Sequence, residues 1–321
     1  MKKINGLIAG FGLLVAAAPV LAQNWPARTV RIIVPYAAGG NTDYTARTVA
    51  AKVSEMWGQQ VIVDNRPGGG TNIGSELAAT AAPDGYTLFM GGASNAINMT
   101  LYAKPPYNTA RDFQPVVWCV QGAALLAAHP SFPAKTVKEL IALAKSRPGQ
   151  LNYGHAGLGS SNHMAGELLK YMTGINIVHV PYKGNTPSIT DAISGNVEMV
   201  FSGVPALVPH IKSGRLRPIA ISSLERFPAV PEIPTFHESG VKGYEASNWF
   251  GLMAPSKVSK DIVNKVNADV NKALAMKDVR ERFDRDGLIT KGGTIEEFGK
   301  FIRAETEKYA NVIKKAGIKQ L

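Results

Sequence analysis

The sequence predicts an α/β protein made of two lobes, with a ligand cleft between them. Strand-like and helix-like segments alternate in residues 30–92, and the alternation restarts in residues 136–222. Such alternation is typical of a parallel sheet with helices on both faces. No linker rich in Gly, Ser or Pro separates the halves, so we expect strands that cross between the lobes. We assign residues 23–121 and 248–321 to lobe 1, and residues 122–247 to lobe 2.

The first lobe begins with a short run of β-branched and apolar residues, Val30–Pro35, which predicts a buried strand. Gly39 and Gly40 end that strand, and Gly58 marks the end of the helix that follows. Pro83-Asp84-Gly85 is a turn signal. The predicted elements are a helix over 41–57, a strand over 61–63, a helix over 71–82 and a strand over 86–90.

Residues 104–135 show no regular pattern, and the alternation resumes at Thr136. Thr136 with Glu139, and Thr294 with Glu297, have the spacing of a capping box that opens a helix. The predicted helices are 136–146, 160–173, 187–194, 205–213 and 261–276, with strands over 151–153, 175–181, 197–201 and 216–222. In the last helix, apolar residues at helical spacing predict a face packed on the core: Ile295, Phe298, Ile302, Tyr309 and Ile313.

Length and composition agree with two globular domains. The chain has 321 residues, of which 45% are hydrophobic and 18% charged, and a domain has about 150 residues.

A single cysteine, Cys119, excludes an intramolecular disulfide framework and cysteine-rich metal sites. The net charge is +11 without a basic run longer than two residues. We interpret it as a solvated surface that also steers anionic ligands, and we predict no nucleic-acid partner.

Residues 1–22 are typical of a cleavable secretory signal peptide. A basic start is followed by the apolar stretch 4–18, and Val20-Leu21-Ala22 offers small residues for cleavage before Gln23. A short membrane anchor is the alternative. No cysteine follows the cleavage site, so we expect an unlipidated protein in a Gram-negative type of periplasm. Export argues against a need for NAD or ATP, and we predict no cofactor.

Three loops share one design, in which a strand is followed by small residues and the start of a helix. They are residues 35–43, 91–95 and 157–163. Each would present backbone N–H groups at the positive end of a helix dipole, which favours an anion. The sequence therefore predicts an anion-binding cleft.

Enzyme and metal motifs are incomplete. Gly159-Ser160-Ser161-Asn162-His163 departs from G-x-S-x-G at its last position, and a serine and histidine within one helical turn make a poor hydrolase pair. His163 and Glu167 are four residues apart, but H-E-x-x-H is missing and the other histidines lack ligand spacing. Residues 68–74 match a phosphate loop in composition only. We predict neither a catalytic residue nor a metal.

Motifs along nearly the whole chain resemble the Bug family, the TctC-like receptors of tripartite tricarboxylate transporters. These motifs are residues 35–43 with 46–47, 65–74, 83–88, 101–102 with 111–116, 159–160 with 163–168, 180–184, 234–235 with 238–240, and 249 with 251–255. The resemblance implies a two-lobed, type II-like periplasmic-binding-protein fold without catalysis. It implies a monomer that binds a small organic acid and delivers it to membrane permease subunits.

The resemblance also implies how the acid is held. Ala38 and Gly39 would donate N–H groups, and Asp43 would order a water molecule. Ser160 would bind the acid from the other lobe. The implied ligand-binding residues are Tyr36, Ala38, Gly39, Asn41, Asp43, Ser94, Asn95, His155, Gly157, Ser160, Ser161, His163, Lys183 and Ser202.

The ligand class stays open among dicarboxylates, tricarboxylates, acidic amino acids and aromatic carboxylates. Tyr36, Asn95 and His155 depart from the family pattern, and a ligand-facing His155 would suit an aromatic or longer carboxylate. Two alternatives to a transport receptor remain. The protein would then pass ligand occupancy to a membrane signalling partner, or act as a periplasmic hydrolase.

Overall fold

The computed structural model of the protein describes residues 25–227, 229–285, 287–315 and 317–321. The predicted signal peptide, residues 1–22, lies outside the described residues. Within the described ranges, no helix combines the length and the apolar character that a membrane crossing requires.

Ten strands and eleven helices make up the described fold. The strands are β1 (Val30–Val34), β2 (Val61–Asn65), β3 (Thr87–Gly92), β4 (Phe113–Ala128), β5 (Asn152–His155), β6 (Val178–Pro181), β7 (Met199–Gly203), β8 (Arg217–Ile221), β9 (Ser247–Pro255) and β10 (Leu288–Thr290). The helices are α1 (Asn41–Trp57), α2 (Asn72–Ala79), α3 (Ala93–Leu101), α4 (Thr109–Asp112), α5 (Val137–Ser146), α6 (Ser161–Thr173), α7 (Asn185–Ile193), α8 (Val204–Lys212), α9 (Lys260–Ala275), α10 (Lys277–Arg285) and α11 (Ile295–Lys315).

The sheet is mixed rather than wholly parallel. Its strand order is β2-β1-β3-β9-β4-β7-β5-β6, with β8 and β10 also paired to β4. The predicted parallel pairing holds for β1 with β2 and β3, and for β5 with β6 and β7. It is wrong for the centre, where β9 is antiparallel to both β3 and β4.

Strand β4 crosses from one lobe to the other, as the absence of a linker predicted. It pairs with β9 as far as Ala123, and from Ala124 onward it pairs with β7 and β8. Separate hydrophobic clusters lie on each side of this change of partner. The boundaries of the lobes, 23–121 with 248–321 and 122–247, stay a prediction.

The predicted helix signals are present where the structure describes them. Thr136 Oγ1 accepts the N–H of Glu139, and Thr294 and Glu297 exchange hydrogen bonds at the start of α11. Phe298, Tyr309 and Ile313 of the predicted apolar face are buried. Burial of this face fixes α11 on lobe 1, because a fully buried apolar side chain contributes about 1.5–3 kcal/mol.

Candidate ligand-binding cleft

A small polar cavity lies between the two lobes. Its lining residues are Tyr36, Gly40, Asn41, Thr42, Ala156, Ser160, Ser161, Asn162, Asn185, Asn248 and Phe250. None of these residues is acidic or basic, and most carry small polar side chains.

Three helices begin at the wall of this cavity. Gly40, Asn41 and Thr42 form the start of α1, Ser160, Ser161 and Asn162 the start of α6, and Asn185 the start of α7. The first N–H groups of a helix have no partner within the helix, and the helix dipole is positive there. Helix starts from both lobes therefore surround the cavity with N–H donors and positive dipole ends. These favour an anion although the wall has no charged side chain.

Several side-chain polar atoms are buried near this cavity without a hydrogen-bond partner among the described residues. They are Asn41 Nδ2 and Oδ1, Asn162 Oδ1 and Ser202 Oγ. Asn41 is 2% exposed, and Ser202 is fully buried. Buried polar atoms in proteins are nearly always hydrogen-bonded, so this concentration is typical of a site that is completed by a polar ligand.

Asn41 is held by close packing against the other lobe. A Cβ atom added to Gly203 would lie 1.4 Å from Asn41 Nδ2. The Asn41 amide therefore occupies the space that a side chain at position 203 would take, next to the start of α8. This contact orients the amide although it makes no hydrogen bond.

Tyr36 contributes a neutral phenol to the cavity wall. Burial raises the pKa of Tyr36 above its usual value, and the neighbouring Ser94 hydroxyl partly opposes that rise. A phenol that stays protonated is a hydrogen-bond donor, which suits a carboxylate oxygen.

Asp43 stabilises the loop that precedes α1. Its Oδ2 accepts the N–H of Gly39 at 2.9 Å, and Arg47 Nε lies 3.0 Å from its Oδ1. The Gly39 N–H is thus used within the loop in this structure. Water ordering by Asp43 and donation to a ligand by Ala38 and Gly39 stay predictions.

The lobes touch across the mouth of the cavity. The N–H of Ala37 donates to the carbonyl of Lys183 at 3.2 Å, and Thr186 Oγ1 donates to the carbonyl of Ala38 at 2.8 Å. Lys183 and Gly157 line the mouth together with Tyr36. The structure is therefore a closed state, in which hydrogen bonds join the first loop of lobe 1 to the start of α7. We call the bond from Thr186 to Ala38 the latch.

Replacing Thr186 with valine is expected to weaken ligand binding about threefold to tenfold. The change removes the latch hydrogen bond, and one such bond contributes about 0.5–1.5 kcal/mol to the closed state. Isothermal titration calorimetry measures the effect. Thr190→Val is the matched control, because that hydroxyl bonds only within α7. Equal affinities of the two variants would contradict a role for the latch.

Asn95 lies away from the cavity wall, although it was predicted to face the ligand. Its Oδ1 accepts the N–H of Gly92 at 3.0 Å, and its Nδ2 donates to Ser75 and Tyr107. All its polar atoms have partners within lobe 1. In the structure Asn95 caps α3 and ties it to α2.

His155 and His163 also lie outside the cavity lining. Their rings contact each other at a tilt of 33°, with centroids 4.8 Å apart, and both approach His179. Among the predicted site residues, the structure thus brings Tyr36, Asn41, Ser160 and Ser161 together at the cavity. It groups His155 with His163 elsewhere in lobe 2.

Sequence reasoning missed several residues of the cavity: Thr42, Asn162, Asn185, Asn248 and Phe250. Asn185 follows Gly184 at the start of α7, after strand β6, which is the same design as the three predicted loops. That signal was present in the sequence. Asn248 and Phe250 lie on the central strand β9, for which no loop pattern gives a signal.

Comparison with known families gives a match over most of the chain. The model of the TctC family, described as tripartite tricarboxylate transporter family receptor, matches residues 45–318. Protein BugT of Bordetella pertussis is 36% identical over 319 residues, which cover 98% of this chain and 98% of that protein.

Solved structures of similar proteins share the whole fold. Rpa4515 of R. palustris with adipate is 36% identical, with a TM-score of 0.90 over 93% of this chain and 100% of that one. The periplasmic binding protein BugD is 31% identical, with a TM-score of 0.89 over 92% and 100%. MatC from Rhodopseudomonas palustris with bound malate is 31% identical, with a TM-score of 0.87 over 90% and 100%.

Proposed function

The chain belongs to the TctC family of tripartite tricarboxylate transporter receptors, and we propose that it captures a small organic carboxylate between its lobes for delivery to membrane permease subunits. Its similarity to periplasmic solute-binding proteins extends over both lobes. Export through the predicted signal peptide, residues 1–22, would place the receptor in the periplasm. The permease contact is part of the proposal.

The position of the helix starts is the main observation that supports a carboxylate ligand. Helix starts from both lobes meet at a cavity whose wall carries polar groups but no charged side chain. Such a wall compensates one or two carboxylate charges through N–H donors and helix dipoles. A cationic ligand would find no carboxylate on this wall.

Two similar structures suggest where to begin the search for the ligand. The structure of Rpa4515 contains adipate and that of MatC contains malate, both of which are dicarboxylates. We therefore propose short dicarboxylates as the first ligand class to test.

The serine residues of the cavity support binding rather than hydrolysis. Ser160 Oγ accepts the N–H of His163 as the cap of α6, and Ser161 Oγ donates to Asn248 Oδ1 at 2.9 Å. Both hydroxyls are thus held by partners other than an imidazole, whereas a hydrolase serine needs a histidine base. We propose that the protein is a receptor without catalytic activity.

Thermal unfolding with a panel of organic acids tests the proposal. We expect short dicarboxylates to raise the midpoint of unfolding by about 5–10 °C at a hundred times their dissociation constant, because binding then contributes about 2.7 kcal/mol. The protein should first be unfolded and refolded to remove copurified ligand. Tricarboxylates, acidic amino acids, aromatic carboxylates and the diamine putrescine complete the panel.

The outcomes separate the competing functions. Stabilisation by putrescine alone would contradict the anion cleft, and turnover of a stabilising acid would favour the hydrolase. Capture of a sensor-kinase ectodomain rather than a permease by the liganded protein would favour the signalling role.

A further inference from the structure

Three histidines from three elements of lobe 2 meet behind the start of α6. His155 ends β5, His163 lies in the first turn of α6 and His179 lies in β6. One ring nitrogen of each lies within 4.8 Å of the others. His155 Nε2 and His179 Nδ1 are 3.4 Å apart.

We propose that His155, His163 and His179 bind one Zn²⁺ ion, with water from the adjacent groove as the fourth ligand. Zinc binds imidazole nitrogen at about 2.0–2.1 Å in tetrahedral geometry, which places two ligand nitrogens about 3.3–3.4 Å apart. The distance between His155 Nε2 and His179 Nδ1 already has that value. His163, coordinating through Nε2, closes the set after a small movement.

The backbone of Gly157 contacts Nδ1 of His155. This nitrogen lies 3.0 Å from the carbonyl oxygen of Gly157 and 3.2 Å from its amide nitrogen. In the tautomer with the proton on Nδ1, the carbonyl accepts that proton and Nε2 keeps the free electron pair that binds a metal ion. Such a carbonyl partner is the usual outer support of a metal-binding imidazole. His163 Nδ1 accepts the N–H of Gly159 at 3.4 Å, so coordination through Nε2 requires that the ring proton move to Nδ1 and that this long hydrogen bond break.

Burial also keeps the imidazoles neutral. It lowers the pKa of His155 far below its usual value, an effect reinforced by His163 and His179, and it lowers the pKa of His163 to about 3, reinforced by His179 and Lys170. Burial also lowers the pKa of His179, and the Glu167 carboxylate opposes that effect. Neutral imidazole is the form that binds a metal ion.

A route for the ion exists on one side of the cluster. His163 and His179 line an open groove together with Glu167, Lys170 and Tyr171. Glu167 forms an ion pair with Lys170 at 2.9 Å, so the groove wall next to the cluster has almost no net charge. Water in this groove supplies the fourth ligand.

The proposed ion lies outside the carboxylate cavity, next to a loop that forms part of the cavity wall. His155 precedes the predicted loop 157–163, and His163 is the last residue of that loop, in the first turn of α6. The metal site and the carboxylate site use different side chains, so each is tested separately from the other.

Zinc titration of untagged protein, stripped of metal by a chelator, tests the site. Calorimetry should show one Zn²⁺ per chain with a micromolar or tighter dissociation constant. His179→Asn should weaken binding at least about 100-fold, since even outer supports of a metal site contribute 10–100-fold. His129→Asn is the matched control, because His129 bonds to Ser131 outside the cluster and should leave zinc binding unchanged.

A cobalt spectrum gives a second readout that needs no variant. Co²⁺ bound to the wild-type protein should show the intense visible absorption of a tetrahedral nitrogen and oxygen site, and Zn²⁺ should displace it. Absence of stoichiometric zinc binding would overturn the proposal, as would equal affinity in the His179→Asn and His129→Asn proteins. An octahedral cobalt spectrum would also contradict the three-histidine site.

Discussion

Replacing Asn41 with leucine is expected to weaken carboxylate binding about 100-fold. Asn41 is 2% exposed, and neither polar atom of its amide has a hydrogen-bond partner among the described residues. A bond to a charged group contributes about 1.5–3 kcal/mol. Leucine has nearly the same shape, so it removes the bond to the ligand without leaving a void.

Asn95→Leu provides the opposite case, because both residues are buried asparagines near the start of a helix. The Asn95 amide bonds to Gly92, Ser75 and Tyr107, so its loss should lower the free energy of unfolding by about 2–4 kcal/mol. Affinity measured on the folded Asn95 variant should change less than about threefold. Chemical unfolding and calorimetry on both variants measure the two effects. Weaker binding in Asn95→Leu than in Asn41→Leu would contradict the assignment of the Asn41 amide to the ligand.

The local fold could be predicted wherever glycine and capping residues mark both ends of an element. Helix α1 was predicted over 41–57 and has those bounds, because Gly40 precedes it and Gly58 ends it in a left-handed conformation. Strand β4 lay in the stretch without a regular pattern. It is apolar along its second half, since that half is buried on both faces, and it contains Pro115 and Gly122. Hydrophobic periodicity cannot identify such a strand.

The site could be predicted only where a motif is local. Loops 35–43 and 157–163 were recognised because strand end, small residues and helix start are consecutive in sequence, and both reach the cavity. The histidine cluster gave no signal, because positions 155, 163 and 179 have no metal-ligand spacing and meet only when β5, α6 and β6 pack together. Loop 91–95 has the same sequence pattern and was also predicted to reach the ligand. In the structure, Asn95 caps α3 instead of facing the cavity. An asparagine side chain at the start of a helix faces the cavity only when it has no better partners elsewhere in the fold. Asn95 has such partners in Ser75 and Tyr107.

Replacing Gly203 with alanine is expected to weaken carboxylate binding by about 10-fold to 100-fold. The backbone of Gly203, with φ −75° and ψ 155°, suits any residue, so the variant is not strained by its conformation. The added Cβ would lie 1.4 Å from Asn41 Nδ2, and the amide must leave its place between the lobes. Overpacking of this kind costs about 1–3 kcal/mol and also prevents full closure on the ligand.

A double variant separates the displaced amide from a general disturbance of β7. In Asn41→Ala the space beside position 203 is empty, so adding Gly203→Ala should cost almost no further affinity or stability. Strong coupling of this kind is the signature of two residues in direct contact. Gly299→Ala is the control, since it lies on α11 in lobe 1 and its added Cβ would meet Pro115 Cγ at 3.3 Å. If the losses from Asn41→Ala and Gly203→Ala simply add, Gly203 acts on binding by another route than the Asn41 amide.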